Sequence, residues 1–399
     1  MLHLSPEDRY RCTGCGDCCR HWDVPLGPGE AEGFEAAARD LVPVDRLRGA
    51  VGRAPAAEGG DRLRLRGRDC PALAAEDRCA IHAARGADAK PAVCRIYPYR
   101  FVQTPEGVAA HLYWSCPAVV DAEGPTLAEE SVAVEAAFAL ADTRGYVTTV
   151  GPEVALTRAR RVPYAAARAL VDALLEAFGT AGGFVGQVHA LAGVAVAYDE
   201  ALGEGSAPAA ALALARERGP ARAAEALAEP VAIDRLSRGL FKALLFLAQG
   251  ESSQGVWAGL REAVRSLAGR ATVRLRDGAV TDAEAVTGVR GALPADGEGL
   301  LGRWLRAQLR SMAFFGPGRG DLSVYEGLEF LVLSSAVAVY LARAHAAAAG
   351  RATLTREDVR AGVLQLESRL VNRTDLPSRF GLALTHTATL DLLREQAGG

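Results

Sequence analysis

The chain has 399 residues, half of them hydrophobic, and a formal net charge of −3 at pH 7. That length supports one large core or two ordinary ones. The near-neutral balance excludes the strongly basic surface of a nucleic-acid binder or of a protein drawn to anionic lipid, so neither is expected as a partner.

Taken in chain order, the predicted elements fall into two groups. The opening MLHLSPEDRYRC has no basic head followed by an apolar run, so no export signal is read and a cytoplasmic location is expected. After Pro28, GEAEGFEAAARDL reads as a short helix. Gly52 to Asp61 reads as a surface loop, and DRLRLRG, Asp61 to Gly67, alternates as a half-buried strand does. YRFVQTPEGVAAHLYWSC reads as two strands around a Pro-Glu-Gly turn. Turn-forming residues at Asp121 to Thr126 then mark a boundary.

Beyond it the pattern is helical. Helices are expected at Leu127 to Ala141, Tyr164 to Phe178, Gly183 to Leu202, Ala207 to Leu227 and Ile233 to Gln249. More are expected at Val256 to Leu267, Leu300 to Phe315, Tyr325 to Ala348, Arg356 to Arg369 and Leu382 to Glu395. Ser323 with Glu326, and Thr355 with Asp358, have the spacing of capping boxes. Arg270 to Val280 reads as a hairpin around an Asp-Gly turn. GFVGQVHALAG reads as small-residue helix packing. The apolar run Phe330 to Ala342 is shorter than the roughly 20 residues a bilayer needs, so a buried helix is expected and no membrane partner. The fold class is α+β. A small cysteine-rich domain with short strands, 1–121, precedes a mostly α-helical domain, 127–399.

All eight cysteines lie in the first part: Cys12, Cys15, Cys18, Cys19, Cys70, Cys79, Cys94 and Cys116. In a reducing compartment such a cluster binds metal more often than it forms disulfides. Thiolates are soft anionic donors suited to zinc, iron or an iron–sulfur cluster. The gaps Cys12-x2-Cys15-x2-Cys18 let tight turns aim sulfurs at one ion, helped by Gly14 and Gly16. Adjacent side chains diverge in a strand or a helix, so Cys18 and Cys19 are expected either to include a non-ligand or to reach toward two centres. All eight are candidate ligands. The count fits two metal sites, a cluster with extra ligands, or one structural zinc with spare buried cysteines. His21, His82 and Asp17 are further candidates, and Arg95 and Tyr97 are candidates to neutralise or cover a polyanionic centre. No Gly-x-Gly-x-x-Gly follows a strand, which argues against a Rossmann-type nucleotide site.

CTGCGDCC, followed by CPAL, DRCAIH and KPAVCRIYP, resembles the YkgJ-type cysteine-cluster family, a zinc- or iron-chelating class. His82 stands where that pattern has Tyr, and Lys90 where it has Arg. A longer design, with Ser115 to Pro117 closing a hairpin before a helical region, resembles the flagellin lysine N-methylases. That resemblance implies S-adenosylmethionine as a cofactor and a protein substrate, with no catalytic residue identified. Three functions stay open: a metal-using protein-lysine methylase, a metal-storage or sensing protein, and a structural zinc module whose helices hold a partner. The oligomeric state is not legible.

Overall fold

A computed structural model describes residues 2–20, 24–53, 61–63, 69–229, 232–249, 272–371 and 388–398. The chain divides into two compact units. One comprises Met1–Gln103 with Gly107–Thr148, and the other Thr104–Glu106 with Thr149–Gly399. The first carries short strands and helices and the second is mostly helical, an α+β chain as expected.

In the first unit, strand β1 (Leu2–Leu4) runs parallel to the second strand of the expected hairpin. A three-residue strand, β2 (Val24–Leu26), then leads to helix α1 (Glu30–Ala38). A helical turn, α2 (Val44–Leu47), precedes β3 (Val51–Arg53) and β4 (Asp61–Leu63), and these form a small antiparallel sheet in the order β2-β4-β3. The remainder of the predicted strand, 64–67, lies outside the described residues, as does 54–60 of the predicted loop. Two short helices follow, α3 (Ala80–Arg85) and α4 (Ala92–Ile96). The hairpin is β5 (Tyr99–Thr104) and β6 (Gly107–Leu112), turning at Pro105 and Glu106. Its sheet has the order β1-β6-β5-β7, with β7 at Val147–Thr149. A last turn, α5 (Pro117–Val120), precedes helix α6 (Ser131–Thr143). Leu127 to Glu130, read as helix, form a turn in which the Glu129 carboxylate accepts from the Thr126 backbone N–H at 2.7 Å. One cluster of its core is Val24, Leu26, Phe34, Leu63, Leu73 and Ile81, with Cys19, Cys79 and Cys94 packed on its edge, and Phe101, Val102, Val108, Leu112, Trp114 and Val134 are buried in the same unit.

The second unit starts with a two-stranded ribbon, β8 (Glu153–Ala155) and β9 (Arg161–Pro163), that the sequence reading missed. Helices α7 (Tyr164–Thr180), α8 (Phe184–Gly203), α9 (Pro208–Ala228) and α10 (Arg235–Ala248) follow close to their expected bounds. The small-residue run on α8 does what such residues do. A methyl group on Gly193 would stand 2.3 Å from the Gly219 carbonyl oxygen, so α8 and α9 cross backbone to backbone. α9 tolerates Pro220 in its interior, where the helix forgoes one backbone hydrogen bond.

The Asp-Gly hairpin is present as β10 (Thr272–Arg274) and β11 (Val280–Asp282), with Gly278 at φ +95°. It leads into α11 (Ala283–Gly288). Helix α12 (Ala295–Arg310) starts before the predicted Leu300, after Pro294 and with Asp296 and Glu298 in its first turn, where carboxylates favour the helix N-terminus. Both capping boxes form, on α13 (Val324–Ala348) and α14 (Arg356–Leu366), and α14 passes into a π-helical turn at Glu367–Val371. α15 (Thr389–Ala397) ends the described chain. The predicted Val256 to Leu267 helix and the first residues of the predicted last helix, 382–387, lie outside the described residues. Among the described residues α13 alone has the length and apolarity of a membrane span, and 78% of that stretch is buried inside the protein. Each fully buried Leu or Phe there contributes about 1.5–3 kcal/mol, which makes α13 the spine of the unit.

Candidate metal centre

The first cysteines sit on tight backbone. Gly14 and Gly16 have φ of +71° and +65°, and the chain after Gly16 winds into a single 3-10 turn, Asp17–Cys19. A side chain at Gly16 would collide with the Asp77 carbonyl oxygen at 2.4 Å, so this turn presses on the 70–79 loop. Two ties hold the pair of segments together. The Cys70 N–H donates to the Cys19 carbonyl at 2.7 Å, and Arg20 bridges to Asp77 and, at 3.4 Å, to Asp69. The 70–79 loop closes on itself through a bridge between Leu73 and Cys79. Arg46 of α2 donates to the carbonyls of Leu73 and Cys70, fixing the loop from the other side.

Cys79 immediately precedes α3, Cys94 lies within α4, and Cys116 immediately precedes α5. The N–H groups of Ile81 and His82 favour the Cys79 anion, and those of Ala118 and Val119 the Cys116 anion, without a capping hydrogen bond from either sulfur. Unpaired amides at a helix start favour an anion. Cysteine at those positions is legible in the sequence, but its capping position is not.

The structure gathers all four sequence blocks. The Sγ atoms of Cys18 and Cys19 are 4.0 Å apart, and the Cys19 thiol also hydrogen-bonds Cys70. Cys94 lies within the electrostatic reach of Cys70, Cys18 and Cys79. Cys116 feels Cys15 and Cys18, and Tyr10 hydrogen-bonds Cys12 and feels Cys116. Cys18 thus stands between an inner group, Cys19, Cys70, Cys79 and Cys94, and an outer group, Cys12, Cys15 and Cys116. All eight are free thiols, with Cys12, Cys15 and Cys18 exposed and Cys70 and Cys116 buried.

The electrostatics follow this crowding. Cys19 is raised far above an ordinary thiol by its hydrogen bonds with Cys18 and Cys70 and by burial, and the same hydrogen bonds lower Cys18 and Cys70. Burial raises Cys79 and Cys94, and pushes Cys116 up to about 12. The charge that offsets a set of thiolates is supplied by Lys90, which favours the anions of Cys18, Cys79 and Cys94, and by Arg46 beside Cys70. Lys90 thus stands beside the thiols as a further candidate for the neutralising role considered for Arg95. Arg95 itself pairs with Asp88 at 2.7 Å. Tyr97 is held well above its ordinary value by burial and by Cys116, and its hydroxyl shares a hydrogen bond with Ser115 at 3.1 Å. His82 is exposed, and burial and Lys90 lower it. Asp17 opens the 3-10 turn and its charge opposes the Cys18 thiolate. His21 lies outside the described residues.

Soft thiols set at the edge of a small core fit zinc or iron. The 4.0 Å between Cys18 and Cys19 is close to the ligand–ligand edge of tetrahedral zinc, about 3.8 Å for Zn–S bonds of 2.3 Å. The divergence expected of neighbours in a helix or strand does not apply to this 3-10 turn. As the side chains stand, no group of three or more His, Cys, Asp and Glu among the described residues is closed enough to hold an ion. The thiols are assembled without being drawn tight.

Residues 11–117 match the model of the CxxCxxCC family, described as a "putative zinc- or iron-chelating domain". The comparisons with curated proteins and with solved structures returned no match. Residues 11–117 are thus similar to a cysteine-cluster domain described as zinc- or iron-chelating, and the likeness to flagellin lysine N-methylases rests on motif order alone.

Proposed function

We propose that the first unit binds zinc or iron at two adjacent thiolate centres that share Cys18. The inner centre uses Cys18, Cys19, Cys70, Cys79 and Cys94. The outer one uses Cys12, Cys15 and Cys116, with Tyr10 beside it. The observation that carries this reading is the Cys19 thiol in contact with both Cys18 and Cys70, which ties the first sequence block to the second. A metal ion here supplies a strong positive charge that displaces the thiol protons. Lys90 and Arg46 offset the remaining negative charge, and the helix-start amides at Cys79 and Cys116 orient their sulfurs. A structural zinc is closed by four ligands. This set has eight thiols, three of them exposed, and is suited to a centre that exchanges or uses its metal. The lysine-methylase reading is a further step within this proposal, and nothing among the described residues outside the cysteine motifs marks its S-adenosylmethionine site.

The test is metal content of anaerobically purified protein, with optical spectra to separate coloured iron–thiolate from colourless zinc. More than one metal per chain is expected. Cys12→Ser, Cys15→Ser and Cys116→Ser should each remove part of it, and Cys70→Ser most of it. One ion per chain, untouched by the three outer substitutions, would leave a structural staple. Incubation with labelled S-adenosylmethionine and lysine-rich protein tests the enzymatic step separately.

A further inference from the structure

The helical unit contains a cavity of about 570 Å³ walled by α10, α13, α15, α11 and β10. That is within the range of pockets that take small organic ligands, about 300–1,000 Å³. Its floor is apolar and aromatic. Phe241 meets Tyr340 edge to face with centroids 5.9 Å apart, and Leu245 and Leu392 complete the surface. Three cations line it, Arg238, Lys242 and Arg343, against two carboxylates, Glu284 and Glu395. Arg238 is paired with Glu395 at 3.1 Å.

Arg343 is different. Its Nε is buried, and no acceptor for it is found among the described residues. A buried N–H without an acceptor costs roughly 1–3 kcal/mol, and the guanidinium that carries it also lines the cavity. Burial lowers the Arg343 pKa by more than the nearby Glu395 carboxylate raises it.

We infer that this cavity binds a small organic acid, a single carboxylate on a flat apolar body. The carboxylate accepts from Arg343, and the body lies against Phe241 and Tyr340. The lining carries one excess positive charge, which suits a monoanion and disfavours a doubly charged phosphate ester. The aromatic pair suits a ring rather than a sugar. The site is independent of the thiols, so it stands or falls apart from the metal proposal.

The experiment is calorimetric titration of the full chain with 2-naphthoate and with the neutral 2-naphthylmethanol. Saturable binding of the acid is expected, at least tenfold tighter than the alcohol. Arg343→Gln should weaken the acid at least tenfold and leave the alcohol unchanged, with a melting temperature no lower than that of the parent. Ala283→Trp, which fills the cavity from α11, should abolish both. Equal affinity for acid and alcohol in the unmodified protein would overturn the proposal without any variant. So would undiminished acid binding in Arg343→Gln, or in a folded Ala283→Trp.

Discussion

The two units obtain order by different means. The helical unit is held by its own chain: α13 is buried along most of its length, capping boxes start α13 and α14, and α8 meets α9 at glycines. The cysteine unit has three-residue strands beside one six-residue hairpin, helices of four to nine residues around its thiols, and sulfurs on the edge of its thiol-side core. On the proposed metal binding its thiol side gains cohesion from what the sulfurs hold, because a small core offsets little of the entropy of ordering its loops. On the proposed metal binding, the comparison makes metal loading a folding variable for one unit and not for the other.

The largest effect is expected from stripping the metal. Structural zinc contributes on the order of 10 kcal/mol in small thiolate domains. A strong chelator should therefore abolish amide-exchange protection at α3 and α4 while α8, α13 and α14 keep theirs. Equal loss in both units would break the comparison. The converse perturbation is Gly193→Ala. It inserts a methyl at 2.3 Å from the Gly219 carbonyl oxygen. Overpacking costs about 1–3 kcal/mol, seen as a lower thermal midpoint of the helical unit with unchanged metal per chain.

Smaller still is the capping term at Asp358. Burial pushes this carboxyl up, but Arg351 and the Thr355 backbone N–H outweigh it and hold its pKa below the ordinary 3.8. A depressed pKa means stability that is present above 3.8 and lost as pH falls through the folded value. Asp358→Asn should cost about 1 kcal/mol at pH 7, and the gap to the parent should close in acid. Urea denaturation followed across pH 2 to 7 checks the sign.

The helical unit was the more legible because its signals are local. A hydroxyl three residues before a carboxylate, an Asp-Gly pair and a long apolar run all act within one or two turns. Even there, α12 begins at Ala295, after Pro294 and through an acidic first turn of Asp296 and Glu298, a local start signal that the apolar pattern from Leu300 hid. In the cysteine unit the ligand types and the hairpin were legible, and their arrangement was not. β1 pairs with β6 from the far end of the unit, and three-residue strands are too short to show a period. The vicinal cysteines converge because Gly16 adopts a left-handed conformation and starts a 3-10 turn. Lys90, the further candidate for the neutralising role, was placed beside the thiols by packing.

The parallel pairing of Leu2–Leu4 with Gly107–Leu112 also orders events in time. On a ribosome the first strand waits for a partner that is made about a hundred residues later. Cys12 to Cys19 wait likewise for Cys70, Cys94 and Cys116. At about 5–20 residues per second the interval from Cys19 to Cys116 lasts roughly 5 to 20 s. For that period the nascent chain displays four thiols that its own sequence cannot yet enclose, so protection of the early cysteines during synthesis falls to the cell.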